Sequence, residues 1–345
     1  MPVQTVRKND KAIGLWYFAG ASFVFLILVI GGITRLTGSG LSITHWSPVT
    51  GLIPPLSQTE WQAEFELYRE FPEYQLLNRG MSLGEFQFIY FWEYLHRLVA
   101  RTLGLVFLIP FCFFFLTKRF TPRELRRSLL LLFLGALQGA MGWFMVKSGL
   151  TDIPEVSAYR LTAHLMLAFF IFALCIWFAL DLLYPSLSSA PPRDGTYGLA
   201  FWLISCFLFL LCMQVIYGGL VAGHKAGFML NTFPTMHGRW IPPGAMGMEP
   251  RVANLFANPV TVQWIHRFFG TVLLMVALSF PIFLRRSVLL RKMLVVLAIF
   301  TVLQYGLGVL TLLWGVPMLL GVLHQAFALL LFGGTLVALH TSRKV

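Results

Sequence analysis

The sequence predicts an all-α polytopic membrane protein, with eight transmembrane helices arranged as two pseudo-symmetric four-helix bundles. Three observations predict it. The 345 residues are 57% hydrophobic and only 12% charged, with a mean hydropathy of +0.75, whereas a soluble domain carries about a quarter charged residues. Apolar runs recur along the chain, each of the about 20 residues that a helix needs to cross a bilayer. Charge alternates from one connection to the next. Basic clusters (Arg7, Lys8 and Lys11; Lys118, Arg119, Arg123, Arg126 and Arg127; Arg285, Arg286, Arg291 and Lys292; Arg343 and Lys344) stand opposite a segment holding Glu60, Glu64, Glu66, Glu70, Glu73 and Glu85. That is the positive-inside pattern. It places both termini in the cytoplasm (or, in an organelle, the matrix), requires an even number of spans, and assigns the net charge of +12 to the membrane surface rather than to nucleic acid.

The elements follow in order. A basic start precedes the first apolar run, as in a signal peptide. That run is long, however, and continues into Gly31-Gly32-Ile33-Thr34-Arg35 without a small-x-small cleavage site, so it reads as a span over 15–33. No long Arg/Ser-rich transit segment is present, which points to a bacterial inner membrane. Residues 34–92 form an outer segment too long to be a connector. Within it Ser57-Gln58-Thr59-Glu60 reads as a capping box opening an amphipathic helix toward Phe71. Trp61, Phe65, Tyr68, Phe86, Phe88, Tyr90, Phe91 and Trp92 suit the outer membrane interface. Further spans are expected over 93–116, 128–146, 161–184, 199–220, 262–284, 293–314 and 318–339. The linker-like stretch Pro185 to Gly195 divides the chain into halves, 1–190 and 191–345. Cys112, Cys175, Cys206 and Cys212 all fall in apolar runs and read as buried small hydrophobes.

The halves repeat. Gly31-Gly32-Ile33 after span one matches Gly218-Gly219-Leu220 after span five, each read as a turn into a long outer segment. His96-Arg97 matches His266-Arg267 at the start of the second span of each half. Gln138 and Gln304 fall inside the third, and His164 and His324 open the fourth. With an even number of spans per half, the repeat is parallel, about an axis along the membrane normal.

The repeat makes the histidines informative. His96, His164, His266 and His324 all stand near the outer ends of even-numbered spans, hence at one depth. Facing imidazoles on two helices can grip a porphyrin edge-on, one on each iron face. Two haem sites are therefore expected, His96 with His164 and His266 with His324. A zinc site would need its ligands to converge on one point rather than fall into two pairs. Arg97, Arg101 and Arg267 are candidate partners of haem propionates, the alternative being snorkelling at the interface. Glu93 shares a helix face with His96, while its counterpart is the amide Gln263. A carboxyl group beside an iron ligand can move protons, so chemistry is assigned to the N-terminal half, with Glu93 the catalytic candidate, and a fixed electron-carrying haem to the C-terminal half. The alternative for Glu93 is a partnership with an arginine or with interfacial water.

On these residues the sequence resembles the haem A synthase family. The matching pieces are GGITRLTGSGLSITHW (31–46), EYLHR (93–97), QGAMGWFMVKSGL (138–150), YRLTAHL (159–165), GGLVAGHKAG (218–227), NTFP (231–234), QWIHR (263–267) and GVLHQ (321–325). The resemblance implies oxidation of the C8 methyl of haem O to a formyl group, giving haem A for cytochrome oxidase assembly. It implies one haem b in the C-terminal half and substrate haem O in the N-terminal half, and it matches Glu93 to a functionally important glutamate. The outer loops lack the cysteine pair of one branch, so the chain resembles the mitochondrial-type branch. Haem O synthase and an unidentified electron donor are the partners implied, and a homo-oligomer is left open by glycine-rich faces. The rival readings are a diheme, quinol-linked b-type electron carrier and a haem transporter or chaperone. Met236 to Arg239 receive no role.

Overall fold

A computed structural model of the protein describes residues 8–45, 50–149, 154–184, 196–283 and 288–343. Trp46, Leu150, Asp152, the linker at 185–195, Arg7, Arg285, Arg286 and Lys344 lie outside the described residues. The helices in chain order are α1 (Lys8–Leu36), α2 (Gln58–Arg69), α3 (Pro72–Leu76), α4 (Leu83–Leu116), α5 (Pro122–Gly149), α6 (Ala158–Leu183), α7 (Thr196–Gly223), α8 (Asn254–Ala257), α9 (Pro259–Phe283), α10 (Val288–Leu313) and α11 (Met318–Ser342). Among the described residues eight are long and apolar enough to cross a membrane, namely α1, α4, α5, α6, α7, α9, α10 and α11.

Most spans exceed their apolar runs by a turn or so, because backbone hydrogen bonding continues into the interface after hydropathy falls. The second span departs most. It begins at Leu83 rather than Glu93, where Ser82 and Glu85 form a second capping box. Glu93 and His96 thus lie well inside α4, not at its start. The extra turns also explain the aromatics of the first outer segment. Phe65 and Tyr68 of α2 bury against Phe86, Ile89 and Tyr90 of α4, with Ile43, forming a small core of their own. Phe88 and Phe91 of the same set stay exposed. The capping box at Ser57 and Glu60 is present as expected.

Helix pairing follows the repeat. In the N-terminal half α1 packs on α4 and α6, and α5 on α6. In the C-terminal half α7 packs on α9 and α11, and α10 on α9 and α11. The halves meet through α1 with α11, α7 with α6, and α6 with α11, a pattern that an exchange of halves leaves unchanged. The Gly-Gly pairs are not turns; both lie within helices. A Cβ on Gly32 would sit 2.9 Å from Gln325 Oε1 of α11, and one on Gly219 would sit 2.8 Å from Thr162 Oγ1 of α6. The second glycine of each pair therefore lets the opposite half approach closely.

The bundle has an apolar core that includes Trp16, Tyr17, Phe107, Phe169, Phe207 and Phe280. It closes on a buried carboxylate. Asp181 of α6 receives Arg127 of α5 at 2.5 Å, Arg343 at 2.5 Å and His340 of α11 at 2.9 Å. All four cysteines are free, and Cys112 and Cys206 face outward rather than into the bundle.

Candidate functional site

Each of the four histidines lies against a glycine of the preceding membrane-spanning helix. A Cβ on Gly31 of α1 would lie 3.2 Å from His96 Nε2, and one on Gly142 of α5 would lie 3.2 Å from His164 Cε1. Gly218 of α7 stands 3.3 Å from His266 Cε1, and Gly308 of α10 stands 2.9 Å from His324 Cε1, on the same construction. Each imidazole thus occupies the room that a missing side chain leaves. The first glycine of each Gly-Gly pair serves the histidine of its own half.

Three of the four rings carry a second constraint. Gln138 donates its amide to the His164 carbonyl at 3.1 Å and lies 3.3 Å from a ring nitrogen. Gln304 repeats this on His324, at 3.0 Å and 3.2 Å. Gln214 lies 3.4 Å from the His266 ring. All three glutamines stand four residues before the glycine that backs the same histidine, a Gln-x-x-x-Gly spacing at 138–142, 214–218 and 304–308. Only Gln138 and Gln304 were recognised from sequence. The recurrent spacing was the signal that could have found Gln214. At His96 the corresponding residue is Ile27, so that ring has no amide from this position.

The structure brings one of the predicted pairs close together. His266 and His324 stand with ring centroids 6.5 Å apart and planes at 81°. Two metal–imidazole bonds of about 2 Å, plus about 1 Å from each nitrogen to its ring centre, require about 6 Å. Nδ1 of His164 and of His266 is buried without a hydrogen-bond partner, and which ring nitrogen occupies that place is an orientation of the ring. A buried, unpaired imidazole nitrogen is costly unless something binds it, so the donor set fits an iron macrocycle in each half. Among the described residues no three His, Cys, Asp or Glu side chains gather as they would around a bare metal ion.

Glu93 is 3% exposed and clamped from both sides. One carboxylate oxygen accepts from Ser42 Oγ and Ile43 N, each at 2.8 Å. The other accepts from Arg97 Nε at 3.0 Å and Nη2 at 2.5 Å. Arg97 also donates to the Ile43 carbonyl at 3.2 Å, and Arg101 to the Gly51 carbonyl at 3.1 Å. In the other half Arg267 donates to the Thr232 carbonyl, and Gln263 lies 3.4 Å from the Leu230 carbonyl. These side chains therefore fasten the outer segments over the two histidine pairs. Arg267 Nη1 is buried without a partner, which leaves it suited to an anionic group such as a propionate.

The chain matches the model of the family COX15-CtaA, described as cytochrome oxidase assembly protein, over residues 14–336. It is 44% identical over 342 residues to a protein of Parvibaculum lavamentivorans named heme A synthase, covering 99% of this chain and 97% of that one. A protein of the same name from Nitrosospira multiformis is 46% identical over 355 residues, covering 100% and 98%. One from Flavobacterium psychrophilum is 42% identical over 346 residues, covering 98% and 100%.

Proposed function

The chain belongs to the COX15-CtaA family of cytochrome oxidase assembly proteins, and we propose that it is an oxidoreductase making haem A. It oxidises the C8 methyl of haem O to a formyl group by successive hydroxylations and loss of water. The C-terminal half holds one haem b between His266 and His324, and the N-terminal half receives haem O between His96 and His164. The observation that carries this reading is the perpendicular His266–His324 pair at 6.5 Å, each ring backed by a glycine and held by a glutamine.

Bound haem b supplies one-electron transfer. The residues of the chain bind, orient and enclose. Gln214 and Gln304 keep both C-terminal imidazoles in one orientation, as suits a permanent group. His96 lacks that amide, as suits a ligand that must come and go. Arg267 offers its unpaired nitrogen to a propionate, and Arg97 and Arg101 line the equivalent edge of the other half. Glu93 holds the first outer segment down over His96 and is the carboxylate nearest the substrate level. To take a proton it must release Ser42, Ile43 or Arg97. Gln263 cannot titrate and only tethers. The protein sits in a bacterial inner membrane with its termini in the cytoplasm and its haem sites near the periplasmic side. Haem O synthase supplies its substrate, and a separate donor supplies electrons.

Purified protein given haem O, dioxygen as the oxidant and a reductant should yield a formyl-haem. Glu93→Ala should lose that product and keep the C-terminal haem spectrum. His266→Ala or His324→Ala should strip the b-type haem, whereas His96→Ala should impair only substrate handling. Absence of formyl-haem, with both haems merely cycling between redox states, would identify an electron carrier instead. Release of unaltered haem O would identify a chaperone.

A further inference from the structure

The halves differ where α4 meets α5. Helices α9 and α10 pack along their length, but α4 and α5 touch sparingly. Matching the halves through their histidines and glutamines places Tyr305 at Gly139, Thr301 at Gly135, Leu274 at Gly104 and Thr271 at Arg101. In the C-terminal half Tyr305 and Thr271 close the seam. The Tyr305 hydroxyl lies 3.1 Å from Thr271 Oγ1, bridging α10 to α9, and its ring meets Phe233 at 6.2 Å. In the N-terminal half the corresponding volume is cleared. A Cβ added to Gly104, Gly135 or Gly139 meets nothing within 4 Å.

The clearing adjoins the histidine site. Gly135, Gln138, Gly139 and Gly142 share one face of α5, and Gln138 and Gly142 are the residues that touch His164. Gly135 lies seven residues below Gly142 and Gly104 eight below His96, about 10 and about 12 Å along their helices. The two clearings therefore lie at similar depth beneath the imidazoles. At the upper end, Gln138 Oε1 and His164 Nδ1 are buried with no hydrogen-bond partner. The outward flanks carry exposed Leu105, Leu108, Phe133 and Leu137, so the cleft opens sideways into lipid.

We propose that this cleft between α4 and α5 receives the isoprenoid tail of the substrate haem. This rests on the haem O reading above. A macrocycle held between His96 and His164 must send a long apolar chain somewhere, and the cleared seam runs from the imidazole level into the bilayer. The C-terminal half holds a haem without such a tail, and there Tyr305 bridges the corresponding seam. Entry through an apolar seam also spares the tail any passage through water.

The test transplants the filled seam. Gly139→Tyr and Gly104→Leu, with the milder Gly139→Ala and Gly104→Ala, are purified with the C-terminal haem bound, whose spectrum reports folding. Each is titrated with haem O and with protohaem, which carries a vinyl group in place of the tail. Haem O affinity is expected to fall at least about tenfold in the large variants, with protohaem affinity unchanged, since the obstruction acts on the tail alone. An equal loss for both ligands, or a loss for neither, overturns the proposal. So does displacement of co-purifying phospholipid with haem O binding unchanged, because the occupant is then a lipid acyl chain. If tail-dependent binding is found but wild type forms no formyl-haem, the cleft stands and the synthase reading falls.

Discussion

Replacing Glu93 by glutamine reverses hydrogen bonds at one buried point and leaves the shape intact. The wild-type carboxylate accepts from four donors, Ser42 Oγ, Ile43 N, Arg97 Nε and Arg97 Nη2. An amide has one accepting end. Turned toward Arg97, it leaves the Ile43 N–H facing an NH2 group. Turned toward Ile43, it leaves the guanidinium facing one. Arg97 is itself only 16% exposed, and breaking a buried ion pair on one side costs about 3 kcal/mol. That corresponds to roughly a hundredfold more frequent opening of the segment that Glu93 holds. Hydrogen exchange read by mass spectrometry on peptides containing Leu41 to Ile43 should accelerate by that order, with peptides of α9 and α11 unchanged. Formyl-haem production should fall with it. Unchanged protection at Ile43 would refute the clamp, and lost production alongside intact protection would assign Glu93 to proton transfer alone.

Three further outcomes follow from other parts of the molecule. Gly308→Ala places a Cβ 2.9 Å from His324 Cε1, closer than carbon atoms tolerate, so the ring must move; the purified variant should retain less b-type haem than wild type in a pyridine haemochrome assay. Asp181→Asn removes a buried carboxylate from Arg127, Arg343 and His340 and should destabilise by about 3 kcal/mol, whereas Glu155→Gln breaks an exposed pair with Lys225 and should cost under about 1 kcal/mol; thermal unfolding of the two variants ranks them. Burial pushes the Glu73 carboxyl from 4.5 up to about 7, the hydrogen bond from Tyr68 opposing and the Glu93 charge adding. The folded chain then binds more protons than the unfolded one between those values, so stability falls as pH rises from about 4.5 to about 7. Glu73→Gln should flatten proteolytic susceptibility of the outer segment across that window, and a surviving slope would exclude Glu73 as its source.

The legible part of this protein was carried by properties that each residue brings with it. Hydropathy marked eight spans, and the repeated spacing matched His96 to His266 and His164 to His324. The Gln-x-x-x-Gly spacing was equally present, and only its meaning was missed until the rings were seen against the glycines. Tertiary structure decided the rest. Glu93 meets Ile43 across fifty positions of chain, and Asp181 meets His340 across 159. The Gly-Gly pairs read as turns and proved to be contact surfaces. Whether a glycine admits an imidazole, a neighbouring helix or nothing depends on how each helix is rotated in the bundle. Rotation is set by the packing of all the helices at once, which no local pattern contains.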